Sequence, residues 1–351
     1  MGDRRSGRKS HRRDFDRAAD ARHARRTYAK TNERDWEAGR QRFRRRARPG
    51  CTDIASQFIA WQTANGDGME VAMAGGRAQF LPNTVADPEY PQRKGLRADG
   101  RNLMTEWTQM PGHVAITDEA GFKATNFDSD VKVLGLFEPS HMEYEHDRPN
   151  DKAGEPSLAE MTRAAITRLK RDPDGFVLMV EGGRIDHAHH AGNALRALSD
   201  VEALDEAVQV AREMTGDDDT LIIVTADHSH TLTISGYPGR NNPILGLVQY
   251  PGHGVAKGAD GKPYTTLGYM NGPGAICTPG KDSTCERKDL TDVDTGDEDF
   301  LQQSLVPLGS ETHGGEDVAV FASGPGSSLL TGTIEENEIF HVMARSLGLV
   351  K

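Results

Sequence analysis

Apolar residues in this chain fall into short runs and helical stripes rather than long blocks. Phe176-Val-Leu-Met-Val180 and Leu221-Ile-Ile-Val224 are uninterrupted apolar runs, the pattern of strands buried on both faces, as in parallel sheets. Val71-Ala-Met-Ala74, Ile244-Leu-Gly-Leu-Val-Gln249 and Asp317-Val-Ala-Val-Phe321 are further strand-like segments. Helical spacing appears from Cys51 to about Trp61, from Leu158 to Arg171, from Leu195 to Met214 and from Ile339 to Leu347. In the third of these, Leu195, Leu198, Val201, Leu204 and Val208 recur on one face and are expected to be core contacts. Helices interleaved with strands predict an α/β fold with a central, mostly parallel sheet flanked by helices.

Polar residues then gather where the strands end. Phe176–Val180 delivers Glu181, two glycines allow a turn, and Asp186 and His190 follow at i, i+4, on one face if that segment is helical. The Leu221 run leads into Asp227-His228-Ser-His230, and Glu311-Thr-His313-Gly-Gly-Glu316 stands just before the Asp317 run. In open α/β sheets the ligand crevice lies outside the carboxyl ends of strands, so the Glu181 and Asp227 clusters are expected to converge there, with His313 brought in by its loop. Carboxylate oxygen mixed with imidazole nitrogen suits a zinc ion. One such cluster alone reads equally well as a polar loop; three at strand ends favour a metal site.

Val180–His190, Thr225–His230 and Glu311–Phe321 resemble the metal-binding motifs of alkaline phosphatases. The resemblance runs from Pro49 to the C-terminus and includes Gly50-Cys-Thr-Asp-Ile-Ala55, Asp87-Pro-Glu-Tyr-Pro91 and Gly135-Leu-Phe-Glu-Pro139; it is strongest with the animal-type branch. It implies hydrolysis of phosphate monoesters with two zinc ions and a third metal, usually magnesium. Asp186, His190 and His313 would hold the first zinc, Asp227 and His228 the second, and Glu181 the magnesium. Arg34, in Thr27-Tyr-Ala-Lys-Thr-Asn-Glu-Arg34, matches the segment whose arginine grips phosphate, and its planar fork suits that task. A fourth site, for calcium or magnesium, maps onto Glu89, the Phe137 carbonyl, Glu138 and Glu155, all oxygen donors. The resemblance also implies a homodimer and a small crown-like subdomain over residues 236–299, within a domain spanning residues 49–351.

Two departures qualify this. The family's nucleophilic serine and its metal-bridging aspartate have no matching motif here, as in a chain truncated before the Arg34 segment. Residues 1–48 form an arginine-rich arm. The first 50 residues hold 18 Lys and Arg against 7 Asp and Glu, while the rest of the chain holds 24 against 46. Parts of that arm are expected to be out of frame, because a shifted reading of Asp20–Arg26 can encode a family-like Thr-His-Ala-Thr-Pro-Ala-Ala directly before Thr27. Two alternatives to the phosphomonoesterase therefore stand: a zinc-binding product without turnover, and a phosphodiesterase or sulfatase of the same superfamily. Three cysteines do not make a disulfide framework, although Cys277 and Cys285 are spaced to close a small loop. No apolar run approaches the length of a membrane span. The family is usually periplasmic, secreted or surface-anchored, whereas Met1 opens onto Arg and Lys without the apolar stretch of a signal peptide.

Overall fold

The computed structural model describes residues 29–30, 36–38, 52–64, 68–276 and 286–350. Arg34, the three cysteines and nearly all of the basic arm lie outside the described residues. The described elements are, in chain order, α1 (Ile54–Ala64), β1 (Val71–Ala74), α2 (Leu103–Thr108), β2 (His113–Ile116), α3 (Glu119–Ala124), β3 (Lys132–Leu136), α4 (Leu158–Leu169), α5 (Arg184–His190), α6 (Ala194–Met214), β4 (Ile222–Thr225), β5 (Leu232–Ile234), β6 (Gln249–Tyr250), β7 (Gly254–Val255), β8 (Leu267–Gly272), β9 (Ser304–Pro307), β10 (Val320–Ser323) and α7 (Glu338–Ser346). The class is α/β. β1, β3 and β2 form a parallel sheet, β4 pairs with β10, β5, β8 and β9 form a mixed sheet, and β6 and β7 make a short ribbon.

The parallel sheet carries the main core. Leu134 and Leu136 of β3 pack with Phe58 of α1 and with Trp107 of α2, which is fully buried. Trp107 stacks on Phe58 at 5.3 Å between centroids, and its indole N–H donates to the Val114 carbonyl at 2.8 Å. That bond is what lets so large an amphipathic ring be buried without loss. The opposite face of the sheet buries Val133, Phe122, Phe127 and Phe137 against Met161 of α4. The α4 start has a reciprocal cap: Ser157 accepts from the Glu160 N–H and Glu160 accepts from the Ser157 N–H.

Several sequence expectations hold to within three residues, among them β1, α4, α6 and α7. Others need correction. Phe176–Val180 forms no strand, and Val177 is 69% exposed; among the described residues no neighbouring strand offers it hydrogen bonds. The Leu221 run does become β4, but it pairs antiparallel with β10 and is only half-buried. β10 itself begins at Val320 rather than at Asp317. Ile244–Gln249 is mostly turn: the Gly246 N–H bonds back to the Pro243 carbonyl, and regular pairing starts only at Gln249. On α6 the buried stripe is Ala194, Ala197, Ala203, Ala207 and Val210, whereas Leu195, Leu198, Leu204 and Val208 are half-buried and Val201 is exposed. Asp200 lies on the same buried face, and α6 packs on both α4 and α5.

Two buried arginines tie the loops after β1 to their surroundings, Arg77 to the end of β3 and Arg97 to the start of α1. Arg77 donates to both Asp87 oxygens at 2.8 and 2.9 Å, to Glu89 at 3.1 Å, and to the Leu136 and Phe137 carbonyls at 3.0 and 2.7 Å. Arg97 is held by Asp53, Asp99 and Ser56. Burial alone would raise the Asp87 pKa, but the Arg77 guanidinium and two backbone N–H groups outweigh it and hold the carboxyl below its ordinary value. A depressed acid contributes stability that is present above its unfolded pKa and is lost as pH falls through the folded value. Asp87→Ala strips the buried guanidinium of its two-pronged carboxylate partner, leaving Glu89 and the backbone carbonyls, and is expected to cost about 1.5–3 kcal/mol at neutral pH. Urea unfolding at pH 7 and pH 3 checks this: the deficit of the variant must shrink at the lower pH.

Candidate metal centre

α5 begins immediately after Gly182 and Gly183 and is seven residues long, so Asp186 and His190 stand one turn apart on it. A Cβ on Gly182 would lie 2.9 Å from the terminal methyl of Ile185, which would have to shift to admit a larger residue. The loop after β4 carries His228 and His230, and the loop before β10 carries Glu311 and His313. These two loops touch through a bridge between His230 and His313 and a hydrogen bond from the Gly314 N–H to the Ser229 carbonyl at 2.7 Å. A Cβ at Gly314 would sit 2.1 Å from the Ser229 hydroxyl and 2.9 Å from the His230 carbonyl. Glycine there is what permits His313 to stack on His228, with ring centroids 3.5 Å apart.

Asp186 Oδ1 is the point on which the three segments meet. It lies 3.1 Å from His230 Nε2, 3.2 Å from His190 Nε2, 3.4 Å from His313 Nε2 and 3.9 Å from His228 Nε2. It is buried, and none of these nitrogens is aligned with it as a hydrogen-bond donor. His190 Nε2 and His313 Nε2 are themselves 3.2 Å apart. Asp186, His190 and His313 thus present ligand atoms at mutual separations of 3.2–3.4 Å. A tetrahedral ion with bonds of about 2.0–2.1 Å separates its ligands by roughly 3.3 Å. The donor set and the spacing both fit zinc.

Glu311 fixes the orientation of these rings. Its fully buried carboxylate accepts from the Thr231 N–H at 2.6 Å, the Thr231 hydroxyl at 2.8 Å and His230 Nδ1 at 2.8 Å. Its carbonyl accepts from His190 Nδ1 at 2.7 Å. With Nδ1 donating in each ring, it is the Nε2 atoms that face Asp186 Oδ1, and loss of the proton there would present their lone pairs to a shared cation. The two carboxylates also set the charge of the centre. Burial disfavours a positive imidazole, yet Asp186 and Glu311 outweigh it and push His190 up to about 10. The same histidines outweigh burial in holding Asp186 and Glu311 well below the usual carboxylate range. His189 is instead pushed down to about 4, by burial and then by His230, and it props His230 by ring stacking while its Nδ1 meets the Tyr269 hydroxyl at 2.8 Å.

The structure therefore brings Asp186, His190, His228 and His313 together. Asp227 stays at the rim, its Oδ2 3.4 Å from His228 Nε2. Glu181 is half-buried between the apolar run and Gly182, and neither carboxylate joins a compact group of three ligand atoms among the described residues. His230 and Glu311 were not singled out from the sequence as participants. Their signal was the motifs themselves, since His230 follows His228 at a spacing of two and Glu311 precedes His313 by two.

A second cluster lies where Arg77 anchors the sheet. Glu89, Glu138 and Asp151 place carboxylate oxygens within 4.8 Å of one another. Burial, then Glu89 and Asp151, pushes Glu138 up to about 8; burial and Glu89 push Asp151 up to about 6. Glu155 is almost fully buried beside them, receives the Glu143 N–H on one oxygen at 2.9 Å, and has no hydrogen bond on the other. Burial pushes it up to about 9. Asp151 was not expected in this group, and the Phe137 carbonyl, which was, already accepts from Arg77.

Known proteins resemble this chain over most of its length. Residues 17–349 match the alkaline phosphatase family. The tissue-nonspecific alkaline phosphatase of Gallus gallus is 43% identical over 324 residues, covering 90% of this chain and 59% of that protein. The alkaline phosphatase of Gadus morhua is 41% identical over 324 residues, covering 90% of this chain and 64% of that protein. The chain thus spans about three-fifths of the length of the curated relatives it matches. Among solved structures, the alkaline phosphatase of the Antarctic bacterium TAB5 superposes with a TM-score of 0.51 at 19% identity, covering 86% of this chain and 67% of that one, which is a likeness of fold.

The crowded carboxylates give a measurable pH dependence. Glu138 and Glu155 are neutral in the folded state at pH values where the unfolded chain has ionised them. The folded state then holds more protons, so stability falls as pH rises from about 4.5 toward 8–9. In chelator, the thermal midpoint is expected to drop across pH 5–9, and Glu155→Gln to flatten that slope. An unchanged slope in the variant would remove Glu155 from the account.

Proposed function

Because this chain belongs to the alkaline phosphatase family, we propose that its metal centre serves the hydrolysis of phosphate monoesters to an alcohol and phosphate. The observation that carries this reading is the triangle of Asp186, His190 and His313, with ligand atoms 3.2–3.4 Å apart around a carboxylate oxygen that makes no hydrogen bond.

In this reading Asp186, His190 and His313 hold one zinc ion, His228 and Asp227 a second, and Glu181 a magnesium ion. Bound metals of this kind act as Lewis acids on phosphoryl oxygens and lower the pKa of an attacking hydroxyl. The chain's own residues do the positioning. Glu311 presents the imidazoles of His190 and His230 through their Nδ1 atoms, and the Gly314 contact brings His313 against His228. Arg34 is assigned to binding the substrate phosphate. The Glu89, Glu138, Asp151 and Glu155 group is assigned to an oxygen-preferring cation, calcium or magnesium, which would relieve the repulsion among its carboxylates. Family resemblance further supports a homodimer. No helix among the described residues is long and apolar enough to cross a membrane.

A second reading is a chain that holds zinc without turnover. Hydrolysis of p-nitrophenyl phosphate by the purified chain separates the two. Alkaline turnover abolished by chelator and restored by zinc with magnesium supports the first; stoichiometric zinc without turnover supports the second. Preference for a diester or sulfate ester would overturn both.

Metal content tests the ligand assignment independently of turnover. His190→Ala and His313→Ala are each expected to lower bound zinc sharply. Glu311→Gln, which keeps the volume but removes the charge, is expected to weaken zinc affinity by about 10–100-fold. Equal zinc stoichiometry in wild type and His190→Ala would contradict the assignment.

A further inference from the structure

Tyr144-Glu-His-Asp147, after β3, and Asp297-Glu-Asp299, before β9, are distant in sequence yet meet at the first turn of α6. Arg196 joins them. Its guanidinium donates to both Asp147 oxygens at 2.7 and 3.2 Å and to the Glu298 carbonyl at 2.6 Å, and it stands 5.5 Å from the centre of the Tyr144 ring. Asn193, buried at the start of α6, accepts from the Arg196 N–H at 2.9 Å and donates to the same Glu298 carbonyl at 2.7 Å. The Glu298 backbone and the Asp147 carboxylate are therefore set in place before any ligand arrives, which lowers the cost of binding one.

These contacts gather three ligand-bearing side chains. His146 Nε2 lies 3.5 Å from Glu298 Oε2, too long for a strong hydrogen bond, and among the described residues neither side chain has another polar partner. An Asp147 oxygen completes a group whose ligand atoms all lie within 4.8 Å of one another. Each Asp147 oxygen accepts one guanidinium N–H and keeps a second lone pair. Charge points the same way. Asp147, Glu298 and Asp299 face a single guanidinium, with Asp299 3.9 Å from Arg196 Nη1. Arg148 does not offset the surplus, because Glu145 already pairs with it at 2.6 Å. An ion pair between His146 and Glu298 alone would be expected to close to hydrogen-bond distance. The 3.5 Å gap is instead near the roughly 3.3 Å that separates two ligands of a tetrahedral ion with bonds of about 2.0–2.1 Å.

We propose that His146, Asp147 and Glu298 form a separate surface site for a divalent cation of the zinc kind, which takes one imidazole nitrogen and two carboxylate oxygens and completes its shell with water. A cation held there clamps the segment before β9 onto α6. In that segment the Gln302 N–H donates to the Gly192 carbonyl at 3.0 Å, and Gln302 Oε1 accepts from the Ala194 N–H at 2.6 Å. Gly192 lies two residues beyond His190, so the clamp steadies the turn that follows α5 without sharing a ligand with the centre around Asp186.

Titration calorimetry of the full chain with zinc alone tests this. Wild type is expected to take up about one equivalent more than His146→Ala, in a weaker phase that His190→Ala retains. Glu298→Gln is expected to weaken that phase by about tenfold or more. Both side chains are exposed, so neither substitution disturbs the core. Zinc in this phase is also expected to shift the His146 ring resonances, identified by their absence in His146→Ala, and to raise the thermal midpoint of wild type but not of that variant. Equal stoichiometry in wild type and His146→Ala, or a His146 ring that zinc leaves unmoved, would overturn the site and leave only an ion pair with Glu298. Because His190→Ala spares this phase, failure here is distinguishable from failure of the ligand assignment at Asp186.

Discussion

Asp186 Oδ1 sits among four imidazole nitrogens, and the separations of 3.1–3.9 Å leave it close to all and aligned with none. A buried carboxylate oxygen without a partner is costly unless a cation satisfies it. That constraint explains why three distant segments are held together at this place. α5 supplies Asp186 and His190, the loop after β4 supplies His228 and His230, and the loop before β10 supplies His313 and Glu311. The surrounding structure serves the same end: Glu311 orients rings, His189 and Tyr269 brace His230, and Gly314 closes the gap between loops.

A second group of carboxylates follows the same logic in a different chemical form. Around Asp186 the donors are mixed nitrogen and oxygen, and the carboxylates there stay ionised because imidazoles face them. Around Glu138 and Glu155 the neighbours are other acids, so burial and repulsion push protons on. Arg77 takes part at the boundary, engaging Glu89 and the Phe137 carbonyl while being committed mainly to Asp87. Nitrogen-rich and oxygen-only donor sets select different cations, so one fold can keep two kinds of site apart.

Much of this was legible in the sequence because it was local. Asp186 and His190 share a helix face by spacing alone, and the approximate boundaries of β1, α4 and α6 follow from the apolar pattern. What was not legible depended on partners distant in the chain. Glu311 is a charged residue in a glycine-rich loop until the fold buries it against Thr231 and His230. Asp151 joins Glu138 only through tertiary packing. The α6 stripe was misplaced because periodicity singles out the larger leucines, whereas the fold buries the neighbouring face of alanines. Phe176–Val180 has the composition of a buried strand, but composition cannot supply the neighbour that would bury it.

Asp186, His190 and His313 are proposed to bind one zinc ion together, and zinc K-edge X-ray absorption on the chain loaded with one equivalent of zinc reads that shell. A low-coordinate shell of nitrogen and oxygen at about 2.0–2.1 Å is expected, with outer scattering from at least two imidazoles. An octahedral shell of oxygen without imidazole scattering, or a shell containing sulfur, would contradict it.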